Sequence, residues 1–229
     1  MCGRFLLLSS PEQLAERFEV DEVRADPLAP RYNVAPSTDI YAVIEDETRR
    51  LGTLRWGFVP PWAKHEKDGP QPINARMETV ATSRMFAPSF KRRRCLVPAD
   101  GFYEWQQRPE GGRKQPYHLA DPDGRPLAFA GIWTSWRDPR EEDVAPLFSA
   151  AILTTDAAGV MAEIHPRMPV VLPAPLWDDW LTAPEDDAPH LLDTLAELPP
   201  PQLTATAIST RVNSVRNDGP ELLEPAEDA

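Results

Sequence analysis

Proline constrains this chain more than any other residue. It fills 27 of 229 positions, over twice the usual share of about 5%, and is spread from Pro11 to Pro225 rather than gathered into one tract. Each proline removes a backbone donor and fixes φ, so a helix interior rejects it and a sheet tolerates it only at edges, strand starts and bulges. No long coiled coil or helical bundle survives breaks at that density. What remains is many short strands, irregular connections and helices of a few turns. Seven tryptophans and eight phenylalanines supply enough apolar area to offset the entropy of ordering such a chain, which excludes a disordered one.

Short strands are expected at Arg4–Leu8, Ile40–Glu45, Arg50–Phe58, Cys95–Val97, Phe102–Trp105, Pro116–Leu119, Leu127–Trp136, Ala150–Thr155, Val170–Leu172 and Thr204–Ser209. There β-branched and aromatic residues recur between turn signals such as Glu110-Gly111-Gly112 and Asp123-Gly124. Ser10-Pro11-Glu12-Gln13 reads as a helix start, with Ser10 as N-cap and Gln13 closing a capping box, and the helix runs to Phe18. Met77, Val80, Ala81 and Met85 suit a helix over Arg76–Phe86 that Pro88 ends, and further short helices are expected at Ala157–Ile164, Pro175–Leu181 and Ala188–Leu198. Because the last strand comes so late, both halves should share one β core: an α+β domain over residues 1–220, followed by an acidic tail, 221–229, that frays.

The net charge of −12 speaks against nucleic acid only until it is located: residues 1–114 carry 18 basic and 16 acidic side chains, whereas residues 115–229 carry 6 and 20. A basic stripe built from Arg4, Arg31, Arg55, Arg76, Arg84 and Lys91-Arg92-Arg93-Arg94 is therefore compatible with the composition. Two cysteines, Cys2 and Cys95, are too few for a disulfide scaffold, and the start has no signal-peptide core. A reducing, cytoplasmic setting without membrane attachment is the expectation. His65, His118 and His190 share no ligand spacing with one another or with Cys95, so no metal or cofactor is expected.

Cys2 is the most informative position. Removal of Met1 would leave an α-amine and a thiol on one residue, a pair that condenses with an aldehyde through a Schiff base to a thiazolidine. Asn74-Ala75-Arg76-Met77-Glu78 sets an amide and a guanidinium two apart just before a helix, an arrangement suited to a sugar or phosphate oxygen. In Asp100-Gly101-Phe102-Tyr103-Glu104-Trp105, alternation puts Glu104 on the Phe102 face, opposite Tyr103 and Trp105. Desolvation there suits a proton shuttle. His165 and Arg167 flank Pro166 in a rigid turn where an imidazole can act as acid or base. The loop Trp56 to Trp62 and the polar stretch Arg31-Tyr32-Asn33-Val34 offer aromatic and polar contacts for unpaired bases.

In order, Met1-Cys2-Gly3-Arg4-Phe5, Arg31-Tyr32-Asn33-Val34-Ala35-Pro36, Trp56-Gly57, Ile73-Asn74-Ala75-Arg76-Met77-Glu78-Thr79, Pro98 to Trp105, Ile164-His165-Pro166-Arg167-Met168-Pro169 and Val212-Asn213 resemble the motifs of the SOS response-associated peptidase (SRAP) family. The resemblance implies a curved, mainly antiparallel, barrel-like β core with short peripheral helices. It also implies a monomeric covalent sensor of abasic sites in single-stranded DNA, with Cys2 as crosslinking nucleophile. Asn74 and Glu104 would serve recognition and proton transfer, and His165 would stabilise the opened sugar. Arg4, Asn33, Trp56, Trp62, Arg76 and Arg167 would contact DNA. An associated lyase activity is compatible with the same intermediate. The alternatives are a peptidase that removes Met1 and a non-covalent reader of modified bases. Replication-fork partners are not legible.

Overall fold

The computed structural model describes residues 2–108, 111–141 and 143–226. Its strands are β1 (Phe5–Leu7), β2 (Glu22–Val23), β3 (Arg31–Val34), β4 (Asp39–Glu45), β5 (Arg49–Trp56), β6 (Asn74–Arg76), β7 (Arg94–Ala99), β8 (Gly101–Gln106), β9 (Gln115–Ala120), β10 (Leu127–Trp136), β11 (Leu147–Asp156), β12 (Arg167–Pro169) and β13 (Thr204–Ala207). The helices are α1 (Pro11–Phe18), α2 (Met77–Val80), α3 (Ala87–Arg92), α4 (Trp177–Thr182) and α5 (Ala188–Ala196). Glu110 of the Glu110-Gly111-Gly112 turn signal lies outside the described residues, as do Met1, Pro109 and Glu142.

Strands β11, β10, β7, β4 and β5 are neighbours in that order, and β5 returns to β11 through a parallel pairing, Ser149 with Arg55 and Ala150 with Trp56. This closes a five-stranded barrel and removes its edges. Gly57 follows the closure at φ 140°, a conformation in which glycine carries no Cβ penalty, and its N–H donates to Ala150 O. On one edge of β11, beyond β5, lies β6 in parallel; on the other, past the end of β10, lies β12.

A second sheet, ordered β13-β9-β8-β1-β3, covers the barrel. Phe5 and Phe102 meet barrel aromatics, with ring centroids 5.1 Å apart for Phe5–Trp56 and 5.7 Å for Phe102–Phe129. The outer face of this sheet is buried as well: Leu6, Tyr103, Ile208, Val212 and Leu222 form a separate cluster beneath the C-terminal segment. Burial on both faces accounts for the near-continuous apolar runs of β1 and β8. At Gly101 the strands come so close that a Cβ would lie 2.5 Å from His118 Nε2 and 2.7 Å from Leu119 O. Asp100 fixes this corner by accepting from the Leu8 and Ser9 N–H groups.

Helix α1 starts as expected, with both arms of the Ser10–Gln13 capping box formed. Other elements differ. The helix expected over Arg76–Phe86 is a four-residue α2, and Pro88 starts α3 rather than ending a helix, because the first turn needs no N–H from it. The polar stretch Arg31–Val34 is a strand, and the strand expected at Val170–Leu172 lies earlier, at residues 167–169, paired with β11. Residues 159–163 form a 3-10 turn. Residues 220–223 form another, with Leu222 fully buried and Ala226 N–H bonded to Ala207 O, so the stretch 221–226 is seated against the second sheet. Residues 227–229 lie outside the described residues.

Candidate active site and nucleic-acid face

Cys2 precedes β1 and is fully buried between the two sheets. From the barrel side, Asn74 at the start of β6 donates its side-chain amide to Cys2 O at 2.9 Å. Asn74 Oδ1 is buried without a hydrogen-bond partner among the described residues, an acceptor positioned at the site. From the covering sheet, Glu104 on the central strand β8 points to the same interior as Phe102, only 2% exposed, as its alternation indicated. Burial pushes the Cys2 thiol far above its ordinary range, and the nearby charge of Glu104 pushes it further. Cys2, Asn74 and Glu104 therefore meet at one point from three elements.

His165 sits in the turn between the 159–163 segment and β12. Its Nδ1 lies 3.0 Å from the Arg167 backbone nitrogen and 2.9 Å from Arg167 O. A backbone N–H donates and a carbonyl accepts, so these two contacts call for opposite states of Nδ1, and together they hold the ring in the turn. The turn is held by the Arg167 side chain. Nη1 and Nη2 reach Glu78 Oε1 and Oε2 at 2.6 and 2.9 Å, and further bonds go to Asp156 and Thr154 O. Hydrogen bonding to Arg167 draws the Glu78 carboxyl below its usual range, and the Glu78 contact raises Arg167.

The residues read as DNA contacts divide. Arg76 and Trp62 are exposed, Trp62 at 58%. Trp56 is not a stacking surface: it is fully buried and its indole N–H donates to Ile73 O. Asn33 is also fully buried; it accepts from Arg4 at 2.8 Å and donates to the carbonyls of Val212, Ser214 and Asn217. Arg4, half-buried, adds a bond to Val212 O. These residues brace the N-terminus against the C-terminal segment. Arg167, at 17% side-chain exposure, is spent on two carboxylates.

The basic stripe is likewise shortened. Arg94 is buried and donates to four carbonyls around α3 and α4, Arg55 pairs with Glu66, and Arg31 pairs with Asp218. Lys91, Arg93 and Arg137 remain around an open groove of about 730 Å³ beside Trp62, in which Arg92 pairs with Glu185. Among the described residues no His, Cys, Asp and Glu cluster could hold a metal, and no helix is long and apolar enough to cross a membrane.

A family model described as SOS response associated peptidase (SRAP) matches residues 1–215. The chain belongs to the SRAP family. It is 39% identical over 226 residues to the abasic site processing protein YoqW of Bacillus subtilis, covering 98% of this chain and 99% of the relative. The abasic site processing protein YedK of Escherichia coli is 34% identical, with 98% and 100% covered, and the chicken protein HMCES is 32% identical, with 94% and 72% covered. A crystal structure from Bordetella bronchiseptica superposes with a TM-score of 0.75 at 28% identity, covering 91% of this chain and all of that one. One from Bacteroides thetaiotaomicron, at 22% identity, shares the fold with a TM-score of 0.83 over 98% of this chain and all of the other.

Two members of this SRAP site escaped the reading of the sequence as functional groups, Glu78 and Asp156. Glu78 lies inside the Asn74 to Thr79 motif, which was the available signal. Its partner Arg167 is 89 residues away, a pairing that only the fold supplies.

Proposed function

We propose that this SRAP protein processes abasic sites in DNA by covalent capture, with Cys2 as the nucleophile once Met1 has been removed. The observation that carries the reading is the meeting of Cys2, Asn74 and Glu104 at one buried point; the names of the YoqW, YedK and HMCES relatives supply the substrate class. The α-amine attacks the aldehyde carbon of the ring-opened deoxyribose, and the carbinolamine loses its oxygen as water to give an imine. The Cys2 sulfur then adds to the imine carbon while the thiol proton passes to the nitrogen, closing a thiazolidine. One water leaves and no oxidant is needed. Glu104 takes the proton from the ammonium and returns one to the departing hydroxyl. His165, held in its turn by the Arg167 backbone, assists opening of the sugar hemiacetal.

A thiol held protonated by burial is a poor attacker, so the amine acts first. For the same reason peptide cleavage is confined in this reading to loss of Met1. Single strands are the preferred substrate because the sugar must be opened and reached. Intact mass spectrometry after mixing with a single strand carrying one abasic site tests the whole scheme. The expected species is Met1-free protein plus DNA less one water. A chain that keeps Met1 and still forms the adduct would exclude the thiazolidine.

A further inference from the structure

Cys2 lies before β1 and α1 follows it; around the last turn of α1, the β9–β10 connection and stretches 171–174 and 198–202 enclose a cavity of about 450 Å³. Cys2, Asn74, Glu104 and His165 take no part in its lining. Its volume falls in the range of about 300–1,000 Å³ typical of small-molecule sites. Leu127, Leu172, Leu198 and the run Pro199 to Pro201 make an apolar wall.

Two arginines break that wall, and they are not equivalent. Arg125 is held by Asp121 at 3.1 Å and Asp123 at 2.9 Å. Arg17 sits over an aromatic surface, its guanidinium carbon 4.7 Å from the Trp177 ring centroid and 5.8 Å from that of Phe18. Its Nε is buried without an acceptor, and among the described residues no carboxylate pairs with it. Burial and the charge of Arg125 both disfavour a bare cation there, with Asp121 and Glu19 only partly offsetting them. The rings shield the guanidinium without accepting from its Nε–H, a donor of the kind that a planar carboxylate engages. Asp121 at the rim and the acidic second half of the chain favour a single negative charge over a phosphate dianion.

We propose that this cavity binds a small organic carboxylate with an apolar body, its carboxylate on Arg17 and its chain along the proline wall. The site is separate from abasic-site capture, and its test does not depend on that reading.

The experiment is calorimetric titration of the full-length protein with octanoate, neutral octanamide and the tripeptide Ala-Ala-Leu. Octanoate is expected to bind saturably, at least about tenfold more tightly than octanamide, as a charge-assisted contact requires. Arg17→Met, which keeps an apolar chain on Trp177, is expected to remove that tenfold and leave octanamide unchanged. Arg125→Gln, at a more exposed side chain, is expected to weaken octanoate severalfold and serves if the first variant fails to fold. Cys2→Ala is expected to bind octanoate like the parent. No saturable octanoate binding at millimolar concentration, equal affinity for octanoate and octanamide, or unchanged affinity in the folded arginine variants would overturn the proposal. Tighter binding of the tripeptide would also overturn it by assigning the cavity to a peptide C-terminus.

Discussion

In the capture proposed here, removal of Met1 leaves two nucleophiles on Cys2, and burial separates their roles. The thiol is held protonated, so it is suited to closing a ring on an imine already formed rather than to starting the reaction. Cys2→Ala keeps the amine and removes the closing step. The expected outcome is loss of the stable adduct, with a borohydride-trappable imine and more strand scission by β-elimination; a stable adduct from this variant would exclude the sulfur. Glu78 acts at one remove, through Arg167 and the His165 turn. Its carboxyl is depressed in the folded state, so its contribution is present above the unfolded value near 4.3 and is lost as pH falls through the lower folded value. Glu78→Gln is expected to cost about 1 kcal/mol at pH 7, modest because Glu78 is 42% exposed, and less near pH 3.5. Urea unfolding of both proteins at the two pH values measures this, and an equal gap would remove Glu78 from the clamp.

The segment from Trp56 to Trp62 shows how one sequence run splits between burial and contact. Trp56 ends β5 inside the barrel, whereas Trp62 lies beyond Pro60-Pro61 at the surface. Trp56→Ala is therefore expected to cost about 3–5 kcal/mol of stability. Trp62→Ala should stay within about 0.5 kcal/mol while weakening single-strand binding by about 1–3 kcal/mol, the worth of one stacked base. Denaturation and binding isotherms on both variants separate the roles, and a reversed pattern would overturn the assignment. Local signals such as the Ser10–Gln13 box, the Phe102/Glu104 alternation and the long β10 were readable in the chain because each depends on residues a few positions apart. The polar edge strand Arg31–Val34 and the short parallel β6 were not, since neighbours distant in sequence decide them. Cys2, Asn74 and Glu104 were legible through chemistry and motif, but the burial of Asn33 and Trp56 was not, because their partners Val212 and Ile73 become neighbours only after barrel and covering sheet assemble.

Across the whole molecule, acidic and basic groups are divided between the halves of the chain, and the fold decides which cations remain available. Arg76 and the groove lined by Lys91, Arg93 and Arg137 do; Arg92 pairs with Glu185, and Arg94 and Arg167 are consumed internally. Arg76→Ala is expected to weaken binding of undamaged single strands and to lower the slope of log affinity against log salt by about 0.7, the release from one phosphate. An unchanged slope would remove Arg76 from the DNA path. The barrel closure joins β5 to β11, nearly a hundred positions apart, and the bracing of Arg4 and Asn33 reaches further still, to Val212 and Asn217. A ribosome makes Arg4 and Asn33 long before residues 212–217, so a nascent chain without that stretch has no carbonyls for them to hold. In the capture reading, the amine and thiol of Cys2 are made early and take their working positions only after residues 212–217 exist, which keeps an aldehyde trap unassembled until then.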